Sequence, residues 1–200
     1  LRSGSPVYGI QAQGLDGLQP PHDTLEAMAT HYVQAMKAVQ PQGPYQVCGW
    51  SSGGVLAFEL ACQLEAAGDE VSLLALFDAG IPRPGESFDE KDIGPMLGLM
   101  FQGESPEQID ALRQAEPEEQ MNFFKERAEV AQILFAGSAG TQIQHVYHVF
   151  QANMAAVVAY QPRTFSGRVV LFRAEDHATP MHEDQQLGWG PWASQGVEVH

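Results

Sequence analysis

The stretch Gly49-Trp50-Ser51-Ser52-Gly53 decides how this chain is interpreted, because the segments on either side of it predict one particular turn. Residues 45–48 before it are short, mostly apolar and β-prone. Residues 54–67 after it have the periodicity of a helix and end at Gly68. The sequence therefore predicts a strand, a sharp turn and a helix, with Ser51 at the apex of the turn.

A serine at such an apex is typical of a nucleophile elbow, in which a strained backbone exposes the hydroxyl at the top of a sheet. We expect side chains at Gly49 and Gly53 to collide where the strand and the helix nearly touch. The backbone N–H of Ser52 lies at the start of the helix, where it would point to an oxygen that gains negative charge. We therefore predict Ser51 as a nucleophile and the Ser52 N–H as an oxyanion-hole donor.

Strands and helices alternate around this turn. Thr24 precedes a predicted helix over residues 25–39, and residues 71–77 are apolar on both faces, as in an inner strand covered by helices. Residues 6–12, 168–173 and 197–200 also predict strands. The sequence thus predicts a single α/β domain over residues 1–200, of the α/β-hydrolase fold, with a mainly parallel sheet and flanking helices.

Residues 85–160 differ from the rest, because they predict helices and no strand. The helical segments are 96–101, 106–115, 118–135 and 142–160. A helical insertion between two sheet strands is where a hydrolase carries a lid over its active site. We expect residues 85–160 to form such a lid and residues 161–200 to return to the core strands.

A catalytic serine needs a base and a carboxylate that orients the base. Asp78 directly follows the strand over 71–77, which places it at the carboxyl edge of the sheet, where Ser51 also emerges. The alternative for Asp78 is a turn-forming role at a strand end. Of the seven histidines, His177 is the weak candidate for the base within the chain, while His145 and His148 lie on the predicted lid.

Composition excludes several classes of function. A formal charge of −15 argues against nucleic acid or an anionic membrane surface as a partner. The two cysteines, Cys48 and Cys62, favour a reducing, cytoplasmic setting, and no Cys/His cluster has metal-binding spacing. The acidic run over 86–129 predicts a solvated helical surface, with a docking face for a basic partner as the alternative.

The chain resembles type I thioesterase domains, the releasing domains of nonribosomal peptide synthetases and related polyketide synthases. The resemblance is carried by residues 6–12 and 14–16, by 49–54, by 76–78, and by the stretch over 153–173. It implies that an acyl or peptidyl chain, delivered as a thioester on the phosphopantetheine of a carrier domain, is transferred to Ser51, with Asp78 as the acid. Water or an internal nucleophile would then release it. The cofactor would belong to the carrier, so none is expected to bind here directly.

In that family the second oxyanion donor precedes the stretch that resembles residues 6–12, and the histidine follows a strand that resembles residues 197–200. We therefore expect a domain truncated at both ends, with its histidine beyond residue 200. Two other functions stay open. One is a stand-alone editing thioesterase or a carboxylesterase; the other is a non-catalytic carrier-binding module of hydrolase ancestry.

Overall fold

The computed structural model describes residues 6–81, 105–130, 140–174 and 184–200. Within them, four strands form one parallel sheet in the order β1-β2-β3-β4. The strands are β1 Tyr45–Trp50, β2 Val71–Phe77, β3 Val169–Phe172 and β4 Val197–Val199. The register pairs Trp50 with Phe77 and Phe77 with Phe172, so these strands end at one edge of the sheet. The predicted α/β class with a parallel sheet is confirmed.

Within the described part of the chain, five α-helices accompany the sheet: α1 Leu25–Val39, α2 Ser52–Ala66, α3 Pro106–Gln114, α4 Pro117–Val130 and α5 Gly140–Ala159. The predicted cap of α1 is present, since the Thr24 hydroxyl accepts a hydrogen bond from the Ala27 N–H at 3.1 Å. Helices α3, α4 and α5 fall between β2 and β3 in the chain. The predicted helix over 96–101 lies outside the described residues.

The core lies between the sheet and α2, which contacts β1 and β2, while α1 and α5 pack against α2. Phe58, Leu64, Leu76 and Leu171 are inaccessible to solvent there, and burial of such apolar area is the main driving force of folding. Cys62 lies in the same core. Burial, reinforced by nearby Glu59, raises the pKa of its thiol to about 12, so it behaves as a packed apolar group.

The predicted strand over residues 6–12 is wrong. These residues form no strand, and Val7 and Tyr8 are 68% and 66% exposed. An apolar, extended segment becomes a strand only when its N–H and C=O groups pair with a neighbouring strand, and none of the four described strands pairs with it. Its composition is typical of a strand, but composition alone does not supply a strand to pair with.

The face of the sheet that does not pack against α2 is the more exposed one. Trp50, Leu73, Phe77 and Phe172 are each more than a third exposed among the described residues. The rings of Phe77 and Phe172 stack on this face with their centroids 4.9 Å apart. None of the described helices is long and apolar enough to cross a bilayer.

Candidate active site

Ser51 lies between β1 and α2 with φ 52° and ψ −126°, a conformation that costs energy for any residue with a side chain. Its N–H donates to the Phe77 carbonyl at 2.9 Å, and its carbonyl accepts from the Gly54 N–H at 2.9 Å. The Ser51 side chain does not cap the first turn of α2. Hydrogen bonds to β2 and to the first turn of α2 therefore fix the backbone of Ser51, while its hydroxyl makes no capping hydrogen bond to the helix.

The glycines around Ser51 differ from the prediction in one position. A Cβ at Gly49 would overlap the Gly53 carbonyl, as expected. A Cβ at Gly53 would meet nothing within 4 Å among the described residues, so the expected collision there is wrong. The close approach is instead made by Gly54, where a Cβ would overlap the Ala79 side chain. The helix axis turns Gly53 outward and Gly54 inward, toward the end of β2.

Asp78 occupies the end of β2 with φ 47°, the second non-glycine residue of the site in the left-handed region. Its N–H donates to the Phe172 carbonyl at 2.7 Å, which continues the ladder between β2 and β3. Its Oδ1 accepts from the Ala174 N–H at 3.3 Å, a long and weak contact. The carboxylate thus lies where three strands end.

The structure brings Ser51 and Asp78 to the same edge. Because Trp50 pairs with Phe77, the two residues follow directly opposed positions of neighbouring parallel strands, whose backbones are about 5 Å apart. Behind them, Gly54 and Ala79 touch, so the helix after the serine and the turn after the aspartate are in van der Waals contact. The arrangement can place a hydroxyl and a carboxylate on either side of a base.

The histidines divide between several places. His177 lies outside the described residues. His145 and His148 of α5 line a pocket of about 340 Å³ together with the loop over 14–21. The imidazole of His200 stacks on Phe172 at 5.2 Å, with its Nε2 3.1 Å from a Glu198 oxygen.

His22 and His31 form a separate pair, with His22 Nε2 3.0 Å from His31 Nδ1. Partial burial, and then the like charge of His31, lower the pKa of His22, which favours its neutral form. A hydrogen bond between two imidazoles needs at least one neutral ring, so the contact and the shift agree. This pair ties the loop before α1 to α1 itself.

Two side chains that the sequence analysis does not predict hold the elements around Ser51 and Asp78. The Trp189 indole N–H donates to the Ala79 carbonyl at 2.7 Å. Glu59, buried in α2, accepts hydrogen bonds from Tyr160 and Arg163 at 2.8 and 2.9 Å. The sequence does contain a signal for Glu59, because a carboxylate inside an apolar helical run is unusual and needs a partner. It contains none for Trp189, because any residue can offer the backbone carbonyl that the indole binds. The described residues contain no group of three or more side chains that could hold a metal ion.

Comparison with known proteins gives one consistent result. Residues 1–121 match the family model of the thioesterase domain. The chain is 30% identical over 205 residues to the dimodular nonribosomal peptide synthase of Bacillus subtilis (strain 168). The aligned region covers 96% of this chain and 8% of that protein. The chain therefore spans a small fraction of the length of this curated relative.

Two solved structures agree with the fold. A four-domain nonribosomal peptide synthetase bound to AMP and glycine matches with a TM-score of 0.75 at 24% identity, over 96% of this chain and 15% of that one. A covalent complex of the NocB thioesterase domain with a fluorophosphonate nocardicin G analogue matches with a TM-score of 0.55 at 26% identity, over 91% of this chain and 66% of that one.

Proposed function

The chain belongs to the thioesterase domain family, and we propose that it releases an acyl or peptidyl chain from the phosphopantetheine thioester of a carrier domain. The observation that carries the proposal is the backbone of Ser51, a non-glycine residue held at φ 52° directly beside the end of the strand that leads to Asp78. Strain of this kind persists only where the surrounding structure maintains it, and it concentrates at functional sites.

In the proposed reaction the Ser51 Oγ attacks the thioester carbonyl carbon, and a base takes the hydroxyl proton. The carbonyl oxygen gains negative charge at the start of α2, where the Ser52 N–H and the helix dipole stabilise it. The C–S bond then breaks, the carrier thiol leaves with the proton, and an ester forms on Ser51. Water releases that ester as an acid, or an internal nucleophile of the acyl chain releases it as a ring.

Asp78 is proposed to orient the base and to stabilise its protonated form. The base is proposed to be a histidine, and His177 stays a weak candidate within the chain. We also propose that residues 85–160, which include α3, α4 and α5, form a lid over the site, and that the partner is an acyl or peptidyl carrier domain. The name of the Bacillus relative supports a setting within a larger synthetase.

A fluorophosphonate probe tests whether Ser51 is an activated nucleophile. We expect the probe to label Ser51, found by mass spectrometry, and we expect Ser51→Ala to remove the label. Ser52→Ala is the matched control, because it deletes the neighbouring hydroxyl but keeps the backbone N–H that the oxyanion hole would use. Full-length, folded protein that stays unlabelled would favour a carrier-binding module without turnover.

Substrate class is tested with two esters of one acyl group, a pantetheine thioester and the corresponding oxoester. A releasing thioesterase is expected to turn over the thioester with the higher kcat/KM. Preference for the oxoester would favour a carboxylesterase, with the same serine retained as the nucleophile.

A further inference from the structure

Trp189 is fully buried, and its indole N–H reaches the turn that follows Asp78. The N–H donates to the Ala79 carbonyl at 2.7 Å, across 110 positions of sequence. A buried indole N–H requires a partner, and many partners would satisfy it. Here the partner is the carbonyl of the residue directly after the proposed acid, so the bond constrains the turn that carries the carboxylate.

The same ring touches the helix that follows Ser51. The Trp189 and Phe58 rings pack with their centroids 4.5 Å apart and their planes at 31°, and Phe58 is fully buried in α2. Ala79, which accepts the indole hydrogen bond, also contacts Gly54 in the first turn of α2. Trp189 therefore packs against both elements that present the site, and its polar bond goes to the acid side.

The segment that carries Trp189 is itself braced. The Asp184 carboxylate accepts hydrogen bonds from the Gln186 and Gly188 N–H groups, each at 2.9 Å. The Leu187 carbonyl accepts from the Ile81 N–H at 3.1 Å, two residues after Ala79. The turn over 79–81 is thus held at two points by a loop with its own internal bonds. A bond from a braced loop restrains its acceptor more than a bond from a free side chain would.

We propose that Trp189 is a positioning residue that holds the carboxylate of Asp78 in line with the base, and this rests on the proposed role of Asp78 as the acid. Asp78 itself is in the left-handed region, with φ 47°. Without the bond at Ala79, the turn after β2 keeps only the bond from the Ile81 N–H to the loop that carries Trp189, so part of that strain can relax and the carboxylate shifts. A displacement of about 1 Å at a catalytic group costs about 100-fold in rate.

The test, in the full-length protein, uses Trp189→Phe, which keeps an aromatic ring against Phe58 and removes the N–H. We expect kcat for a pantetheine thioester to fall about 10- to 100-fold. KM is expected to stay unchanged, because the buried ring does not contact the substrate. Phe165→Leu is the matched control. It alters the other ring that packs on Phe58, at 6.1 Å, and we expect it to leave kcat near that of the wild type.

A double substitution separates positioning from general stability. If Trp189 acts through Asp78, adding Trp189→Phe to Asp78→Asn lowers kcat no further, because the oriented carboxylate is already gone. A further drop equal to that of Trp189→Phe alone would overturn the proposal. Wild-type turnover in Trp189→Phe would overturn it too. Wild-type turnover in Asp78→Asn would instead overturn the proposed role of the acid.

Should Trp189→Phe fail to fold, benzothienylalanine at position 189 provides the second variant. It keeps the bicyclic shape and replaces the N–H with sulfur, so the core packing is preserved and the donor is lost. We expect the same loss of kcat with a melting temperature close to that of the wild type. Full activity in this variant would show that the hydrogen bond to Ala79 does not position the acid.

Discussion

Arg163→Met is predicted to destabilise the fold by leaving a buried carboxylate without its counter-charge. The Glu59 side chain is 1% exposed, and its Oε1 lies 2.9 Å from an Arg163 guanidinium nitrogen. Gln63 donates to the same oxygen at 2.9 Å, and the Tyr160 hydroxyl donates to Oε2 at 2.8 Å. Methionine keeps most of the apolar stem of arginine, so the substitution removes mainly the charge.

The size of the effect follows from the two exposures. Removing one partner of a buried pair typically costs about 3–5 kcal/mol. The Arg163 side chain is 53% exposed, so solvent already screens part of the attraction, and Tyr160 and Gln63 continue to donate to Glu59. We therefore expect a loss of about 3 kcal/mol, at the lower end of that range.

Glu59→Gln separates charge from shape. The amide removes the buried charge and keeps one acceptor oxygen, and the freed guanidinium can turn to water, so we expect a loss of about 1.5 kcal/mol. The double substitution Glu59→Gln/Arg163→Met is expected to cost about 2.5 kcal/mol, which makes the coupling between the two positions about 2 kcal/mol.

The assay is urea unfolding followed by circular dichroism at neutral pH, with the four proteins of the cycle measured side by side. Arg168→Met is the matched control, because Arg168 pairs with Glu198 at 3.0 Å while both side chains are exposed, 61% and 45%. We expect it to change stability by less than about 1 kcal/mol. Single effects that add within about 0.5 kcal/mol, or an equal loss in Arg168→Met, would refute the reasoning.

Two further predictions concern the site itself. In the full-length protein, Asp78→Asn is expected to lower kcat by about 10⁴-fold. We expect little change in melting temperature, since asparagine is nearly isosteric and still offers an acceptor to Ala174. Comparable turnover in the two proteins would remove Asp78 from the mechanism. Gly54→Ala is expected to destabilise the fold by about 1–3 kcal/mol, because its Cβ overlaps Ala79. Gly53→Ala, which meets nothing within 4 Å among the described residues, is expected to stabilise α2 by about 0.5–1 kcal/mol. Urea unfolding that shows the reverse order of stability would contradict this.

Local signals account for the part of the fold that the sequence predicted well. Helix α1 has the predicted bounds, because Thr24 caps its start and residues 41–44, rich in proline and glycine, follow its end. Strand β2 also has the predicted bounds, set by the turn at Gly68 and by its uninterrupted apolar run. Each of these signals lies within a few residues of the element it defines, so the sequence alone is sufficient to read it.

The two wrong predictions, the strand over residues 6–12 and the collision at Gly53, both depend on contacts between segments that are distant in the chain. Residues 6–12 have the composition of a strand, but a strand also needs a neighbouring strand, and composition carries no information on which one is present. The motif around Ser51 predicts a steric need for glycine at Gly49 and Gly53, but among the described residues a Cβ meets neighbours at Gly49 and Gly54 and none at Gly53. The residue that meets Gly54 is Ala79, and only the packing of α2 against the end of β2 shows this.

Glu59 is another residue whose partner depends on a contact between distant segments of the chain. Between Val55 and Leu64 it is the one charged residue in a mostly buried part of α2, and a carboxylate in that place requires a partner. The sequence does not say which of the ten lysines and arginines supplies that partner. The structure assigns Arg163, 104 positions away, in the segment between α5 and β3. Since Tyr160 binds the other carboxylate oxygen from the same segment, Glu59 fixes the return of the chain from the helical insertion onto the helix that begins at Ser52. A buried carboxylate on α2 thus links the position of the proposed lid to the position of Ser51.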